Sequence, residues 1–326
     1  MKRIALIGLF TGLFIFICLL FWQGFTDVLN LLFSSGWALL WLPVVWLPCL
    51  IPLAHSWRLC FITEPVPSLK KALLGIWMGR AVNTLLPVAT IGGEIVKARY
   101  IALSGGNANA ATASVMVDKT IQAFAVVIWG FIGVGLLIYT ATDNNLATLT
   151  LSGFIILATS VTIFIYVQKA GIFGFVTRLG GSLIKTESWE GISRNARDVD
   201  ETIKQIYRDR KRVYLATAIK TSGYALHTSE VWLACYLLGF PISLMEAVML
   251  KSLTSTISDV AFIIPNAYGI QEGAYIMIGN LLGINPELAL AISLAVRIRE
   301  VIIDPAGLLL WHQIETRHLL KRRVAG

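Results

Sequence analysis

An all-α fold is expected: a polytopic transmembrane helix bundle of about seven to nine hydrophobic segments, two of them broken or re-entrant. Three observations predict it. Hydrophobic residue types make up 56% of the 326 residues and charged types only 14%, against about 45–50% and about 25% in soluble domains. So few charges cannot solvate the surface of a soluble protein this size, whereas a lipid-facing surface needs none. The apolar residues also fall in long runs, and the basic residues collect in alternate loops.

A spanning helix needs roughly 20 apolar residues, because the hydrocarbon core is about 30 Å thick and a helix rises about 1.5 Å per residue. Runs near that length occupy 4–22, 36–54, 114–139, 147–167, 213–238, 247–264 and 287–311. The first follows Lys2 and Arg3, as in a signal sequence. It is long for a signal core and ends at Phe21-Trp22-Gln23 without a small-residue cleavage site, so it reads as an uncleaved anchor. Two further stretches, 72–93 and 270–282, are interrupted by Gly, Pro or charge.

Cytoplasmic loops collect Lys and Arg. Lys2 and Arg3, then Arg58, Lys70 and Lys71, then Lys97 and Arg99, then the stretch 168–212, and finally Arg317 and Lys321–Arg323 form the basic set. The segments 23–35, 140–146 and 239–244 between them are nearly free of charge. Both termini are therefore expected on the cytoplasmic side. With the chain inside near residue 54 and again near 114, the stretch 72–93 must return to the side it left, as a re-entrant hairpin or a pair of broken half-helices turning near Asn83–Pro87, the alternative being a true span paired with a second short one. Acids and bases interleave through 168–212, which reads as a linker rather than a domain. Its residues 199–213 suit an amphipathic surface helix, and its bases suit anionic headgroups as a sharper alternative. The chain reads as one membrane domain, 1–326, with a first repeat over about 72–168, the linker over about 168–212 and a second repeat over about 213–311.

The repeat rests on shared punctuation. Pro87 precedes Glu94 by seven residues, with Gly92 and Gly93 between, and Pro265 precedes Glu272 by seven, with Gly269 and Gln271 between. A charged cluster follows each: Asp118-Lys119, then Arg297, Arg299 and Glu300. Pro and Gly break helices, and a broken helix survives at membrane depth only inside protein or beside a polar cavity. Two such breaks in corresponding positions point to a transporter-like binding site. Ionisable groups at this depth cost roughly 2.5–3.5 kcal/mol each when they face lipid. Arg80, Asn83, Glu94, Lys97, Asp118, Lys119, Glu272, Arg297 and Glu300 are therefore expected to line a polar cavity around the breaks. Arg297, Glu300 and Asp304 share one helical face, as do Lys220, His227 and Glu230. Lys220, Lys251 and Asp304 read as structural ion pairs.

Other chemistries find little support. The net charge of +8 reads as topology, and no soluble domain is expected to read nucleic acid. Cys18, Cys49, Cys60 and Cys235 lack metal-ligand spacing, and the four His lack an HExxH pattern. No metal, cofactor or catalytic group is expected.

The run Asn83-Thr-Leu-Leu-Pro87, then Ile91-Gly-Gly-Glu94-Ile-Val-Lys97-Ala-Arg99, then Ala113-Ser-Val and Asp118, resembles the transmembrane domain of bacterial lysylphosphatidylglycerol synthases and their stand-alone flippase-like relatives. The second half, Pro265, Gly269-Ile-Gln-Glu272-Gly273, Ser293, Arg297 and Arg299-Glu300, is similar to it as well. The wording Gly-Gly-Glu-Ile-Val-Lys-Ala-Arg and the Gln-Glu-Gly loop look most like the subgroup associated with hopanoid biosynthesis. The resemblance implies a bacterial inner-membrane location and two re-entrant elements around a polar cavity. It implies movement of a lipid headgroup between leaflets, with a hopanoid or an anionic phospholipid as partner. A scaffold for lipid-biosynthetic enzymes and an intramembrane lipid-modifying enzyme are the alternatives. The synthases carry a soluble aminoacyl-transfer domain after the membrane part. This chain ends at Gly326, so aminoacylation of lipid is not expected. Lys119 stands where relatives often place Arg, and it lacks the bidentate fork that grips phosphate.

Overall fold

The computed structural model describes residues 25–62, 65–86, 92–140, 187–261 and 264–325, with isolated positions at 14, 17, 18, 155 and 159. Apart from those positions, the expected runs 4–22 and 147–167 lie outside the described residues, as do Pro87 and the linker before 187. Every regular element among the described residues is helical.

The first apolar region is one winding path: α1 (Phe25–Ser35), a 3-10 turn (Gly36–Leu40), α2 (Trp41–Trp46), a second 3-10 turn (Leu47–Cys49) and α3 (Leu50–Arg58). Pro43, Pro48 and Pro52 supply no N–H, so α and 3-10 geometry alternate along it. Then follow α4 (Leu69–Leu85), α5 (Gly92–Leu103), α6 (Ala108–Thr140), α7 (Glu187–Arg208), α8 (Arg210–Leu226), α9 (Thr228–Leu237), α10 (Leu244–Val260), α11 (Ile270–Leu281) and α12 (Pro286–Ala325). Their starts carry local signals. Ser68 caps α4 by accepting from the Lys71 N–H, Asp209 caps α8 by accepting from the Arg212 N–H, and Ser243 with Glu246 forms a capping box on α10.

Among the described residues, the path Leu29–Arg58 and helix α6 are long and apolar enough to cross a bilayer. The expected runs 213–238 and 287–311 are helical too, but the first divides at His227 and the second carries Arg297, Arg299, Glu300 and Asp304. Their charges turn inward, and the bundle holds them by pairing.

Two hairpins organise the interior. α4, ending at Leu85, packs on α5, which starts at Gly92, and α10, ending at Val260, packs on α11, which starts at Ile270. The expected span 247–264 is thus the first limb of the second hairpin. α12 crosses between the halves: it packs on α11 and also along α4. Trp77 Nε1 donates to the Ile303 carbonyl at 3.0 Å, and Gly307 lets α12 approach Trp77 and Ala81 of α4 closely. The buried apolar residues divide accordingly. The larger cores gather Trp57, Met78, Ile121 and Ile203 in one and Leu42, Leu250, Tyr275 and Leu290 in the other, beside smaller clusters around Trp46 and Trp129.

The expected amphipathic helix over 199–213 divides at Asp209 between α7 and α8. α7 is amphipathic, but Val199, Ile203 and Ile206 are buried in the first core, where α7 packs against α6. Its apolar face covers the bundle rather than lying on lipid.

Candidate functional site

The first hairpin closes by backbone contact. A Cβ on Gly93 would collide with the Gly79 carbonyl oxygen, and one on Gly79 would meet the Gly93 carbonyl oxygen at 2.7 Å. Only two glycines allow α4 and α5 to approach this far. Asn83 then accepts the Gly93 N–H at 2.7 Å, which satisfies a donor freed by the break. Gly92 opens α5 and sets Glu94 in its first turn.

Glu94 begins a chain of charges across three helices. Lys97 Nζ lies 2.9 Å from Glu94 Oε2 and 2.7 Å from Asp118 Oδ2. Lys220, from α8, pairs with the other Asp118 oxygen. Asp118, Lys97 and Lys220 are all buried, and the Trp57 ring lies 5.0 Å from Lys97 Nζ. A buried pair keeps its charges only if further partners satisfy them, and here one carboxylate serves two ammonium groups. Lys119 differs. It reaches Glu94 at 3.5 Å and Gln122 at 3.3 Å, and its side chain is 39% exposed. It is the loosely held, accessible cation of the group.

The second hairpin turns through a 3-10 element, Pro265–Ala267. Asn266 and Ala267 take left-handed φ values of 52° and 48°, and Gly269 takes 78°, which a glycine adopts without strain. Glu272 accepts the Gly269 N–H at 2.7 Å with one oxygen and meets Arg297 Nε at 2.5 Å with the other. Arg297 also contacts Glu300 at 3.3 Å, donates to the Asn266 carbonyl at 3.3 Å and stacks over Tyr268 at 4.6 Å. Asn266 donates to Glu300 at 2.7 Å, and Gln271 donates to Ser293 at 3.1 Å. Arg80 crosses from α4 to Asp304 at 3.3 Å and Glu300 at 3.7 Å. Arg299 sits 3.2 Å from Glu230 and 3.4 Å from Glu300. The guanidinium groups of Arg80 and Arg299 lie 4.4 and 4.5 Å from the buried Trp46 ring.

The expected residues therefore fall into two clusters. Asn83, Gly92, Gly93, Glu94, Lys97, Asp118 and Lys119 surround the first break; Gly269, Gln271, Glu272, Arg297 and Glu300 surround the second. Pro265 lies in the second turn. Arg80 belongs to the second cluster although its helix belongs to the first hairpin, and so ties the two together. Lys220 and Glu230 do not act together as their spacing suggested: Lys220 completes the first cluster and Glu230 the second. The helix divides between them at His227, whose ring stacks near Trp46. Trp46, Tyr268 and Asn266 were not anticipated, because aromatic and amide groups in apolar surroundings carry no distinguishing spacing. One correspondence emerges only from the contacts. In each half, the glutamate after the break pairs with a cation 25 residues further on: Glu94 with Lys119, Glu272 with Arg297. Among the described residues, no group of three or more His, Cys, Asp or Glu could hold a metal ion.

The sequence is similar to that of a known membrane protein. A UPF0104 membrane protein of Pyrococcus horikoshii is 22% identical over 320 residues, covering 91% of this chain and 92% of that protein. No solved structure matches the chain. The family model described as the lysylphosphatidylglycerol synthase TM region matches residues 9–304. The chain is a membrane protein and belongs to the lysylphosphatidylglycerol synthase transmembrane-region family.

Proposed function

We propose that this protein moves lipid headgroups across a bacterial inner membrane, with both termini in the cytoplasm and the two broken hairpins as inverted or parallel counterparts around a polar route. The observation that carries this reading is the Glu94–Lys119 pair at the first break. It is a half-exposed cation, loosely held, beside a fixed and buried Asp118–Lys97–Lys220 group. A phosphate or other polar headgroup can compete for Lys119 at little cost, because the native contacts it replaces are long. Glu94 remains paired with Lys97 when Lys119 leaves. The arginine cluster at the second break holds the matching hairpin against α12 and α4. The family's lipid-related name supports a lipid cargo, with hopanoids and anionic phospholipids as the cargoes to test first. This reading assigns no bond-making step to the chain.

Purified protein in vesicles containing a trace of fluorescent lipid tests it. Exchange between leaflets faster than in empty vesicles is expected for at least one headgroup class. Exchange no faster than in empty vesicles, over anionic, zwitterionic and hopanoid lipids, would sink the reading.

A further inference from the structure

A second lipid contact lies away from both breaks. Helices α3 and α8 and the segment between α3 and α4 enclose a groove of about 250 Å³. Its floor is apolar, made by Leu59, Phe61, Val66, Leu215 and Ile219. Its rim carries His55, Arg58 and Arg212, and among the described residues no acidic side chain lines it. Glu64, adjacent in sequence, lies outside the described residues.

Each arginine is anchored on a backbone carbonyl. Arg58 Nε donates to the Pro67 carbonyl at 2.9 Å, and Arg212 Nη1 donates to the Phe61 carbonyl at 3.0 Å. Asp209 approaches only the Nε edge of Arg212, at 3.4 Å. Such anchoring fixes each guanidinium and leaves N–H groups for a further acceptor. At the outer edge of the groove Leu215 is 52% exposed, and the neighbouring Tyr214 of α8 is 71% exposed. A cationic rim, an apolar floor and an apolar outer face in one place fit a molecule that is anionic at one end and apolar at the other.

We propose that this groove binds an anionic phospholipid, with its phosphate on Arg58 and Arg212 and its chains along Leu215 and Tyr214. The volume suits a phosphoglycerol headgroup and not a whole lipid, so the chains lie outside. The basic loops that flank α3 and α8 would place the groove at the cytoplasmic leaflet, where such lipids concentrate. The site is separate from the hairpin breaks and does not depend on translocation.

The test uses purified full-length chain in detergent with an equimolar mixture of phosphatidic acid and phosphatidylcholine of identical chains. Native mass spectrometry reads the retained lipid. Wild type is expected to retain phosphatidic acid preferentially. Arg58→Ala and Arg212→Ala should each lower that preference about fivefold, and the double variant on the order of twentyfold. Equal retention of the two lipids by wild type overturns the proposal without recourse to any variant. An unchanged preference in the folded double variant also overturns it. Glycerol 3-phosphate at the lipid's concentration should not displace phosphatidic acid; displacement would show a phosphate site and remove the lipid from the assignment. Leaflet exchange enters none of these readings, so its failure would leave this site standing.

Discussion

The two breaks solve one problem with different side chains. At the first, three lysines meet Glu94 and Asp118, and one of them, Lys119, is half-exposed on long contacts. At the second, Arg80, Arg297 and Arg299 divide their forks among Glu230, Glu272, Glu300 and Asp304, and aromatic rings back all three. Lysine is a point charge that can exchange partners, whereas an arginine fork engages several at once. The first site is thus built to respond and the second to hold. The difference also lies in redundancy. Among the described residues Lys220 has Asp118 as its ion-pair partner, while Arg297 keeps Glu300, Asn266 and Tyr268 if Glu272 is lost.

The largest effect expected from this contrast is that of Asp118→Ala. It strands the buried Lys220 and leaves the buried Lys97 with Glu94 alone, and should cost about 3–5 kcal/mol. Glu272→Ala should cost less, because Arg297 retains its other partners. Thermal unfolding in detergent reads both; a larger loss for Glu272→Ala reverses the comparison.

The glycines sharpen the same contrast. Gly93→Ala drives a methyl group into the Gly79 carbonyl and Asn83, forcing α4 and α5 apart at up to about 3 kcal/mol. Gly273, one position after Glu272 as Gly93 is one before Glu94, has open space around its missing Cβ. Gly273→Ala should change stability by no more than about 0.5 kcal/mol. Equal losses would mean that both hairpins depend on the same close approach.

Next in size is an exchange of cations. Arg297→Lys gives up a fork shared by Glu272, Glu300 and the Asn266 carbonyl, about 2 kcal/mol. Lys119→Arg should leave stability within about 0.5 kcal/mol. Denaturation in detergent distinguishes them, and comparable losses would remove the distinction between a responsive and a holding cluster.

The smallest effect lies outside both clusters. Arg99 of α5 and Glu315 of α12 pair where both side chains are partly exposed. The hydrogen bond from Arg99 holds the Glu315 carboxyl below the usual carboxylate range. A carboxyl whose pKa falls on folding adds stability above its unfolded value of about 4.3 and loses it as pH drops further. The Tm difference between wild type and Glu315→Gln should therefore be small at neutral pH, shrink below about pH 4 and shrink with salt. A difference that grows on acidification contradicts the pairing.

How much of this was legible in the sequence depended on range. The helical character, the two breaks and the charged residues near them follow from local signals: apolar run length, Pro and Gly, and ionisable groups at depth. Pairing across helices does not. Lys220 reads as one member of a structural ion pair on the face of His227 and Glu230 until α8 packs on α6 and brings it to Asp118. Arg80 reads as a first-half residue until α12 packs on α4 and brings it to Asp304. The face shared by Arg297, Glu300 and Asp304 was visible from helical spacing, because i, i+3 and i+7 contacts need no tertiary information. The apolar face of α7 was visible too. Periodicity marks that a face is covered, and it carries no information on whether lipid or α6 covers it.

The contrast between a responsive and a holding cluster meets its most direct test in leaflet exchange by Lys119→Ala. The substitution removes the half-exposed cation and leaves Asp118, Lys97 and Lys220 paired. In vesicles whose wild-type protein exchanges lipid, the folded variant is predicted to slow exchange by on the order of tenfold, the loss of one charge-assisted contact of about 1.5 kcal/mol. Exchange at the wild-type rate by a folded Lys119→Ala protein would contradict the assignment of Lys119 to the headgroup.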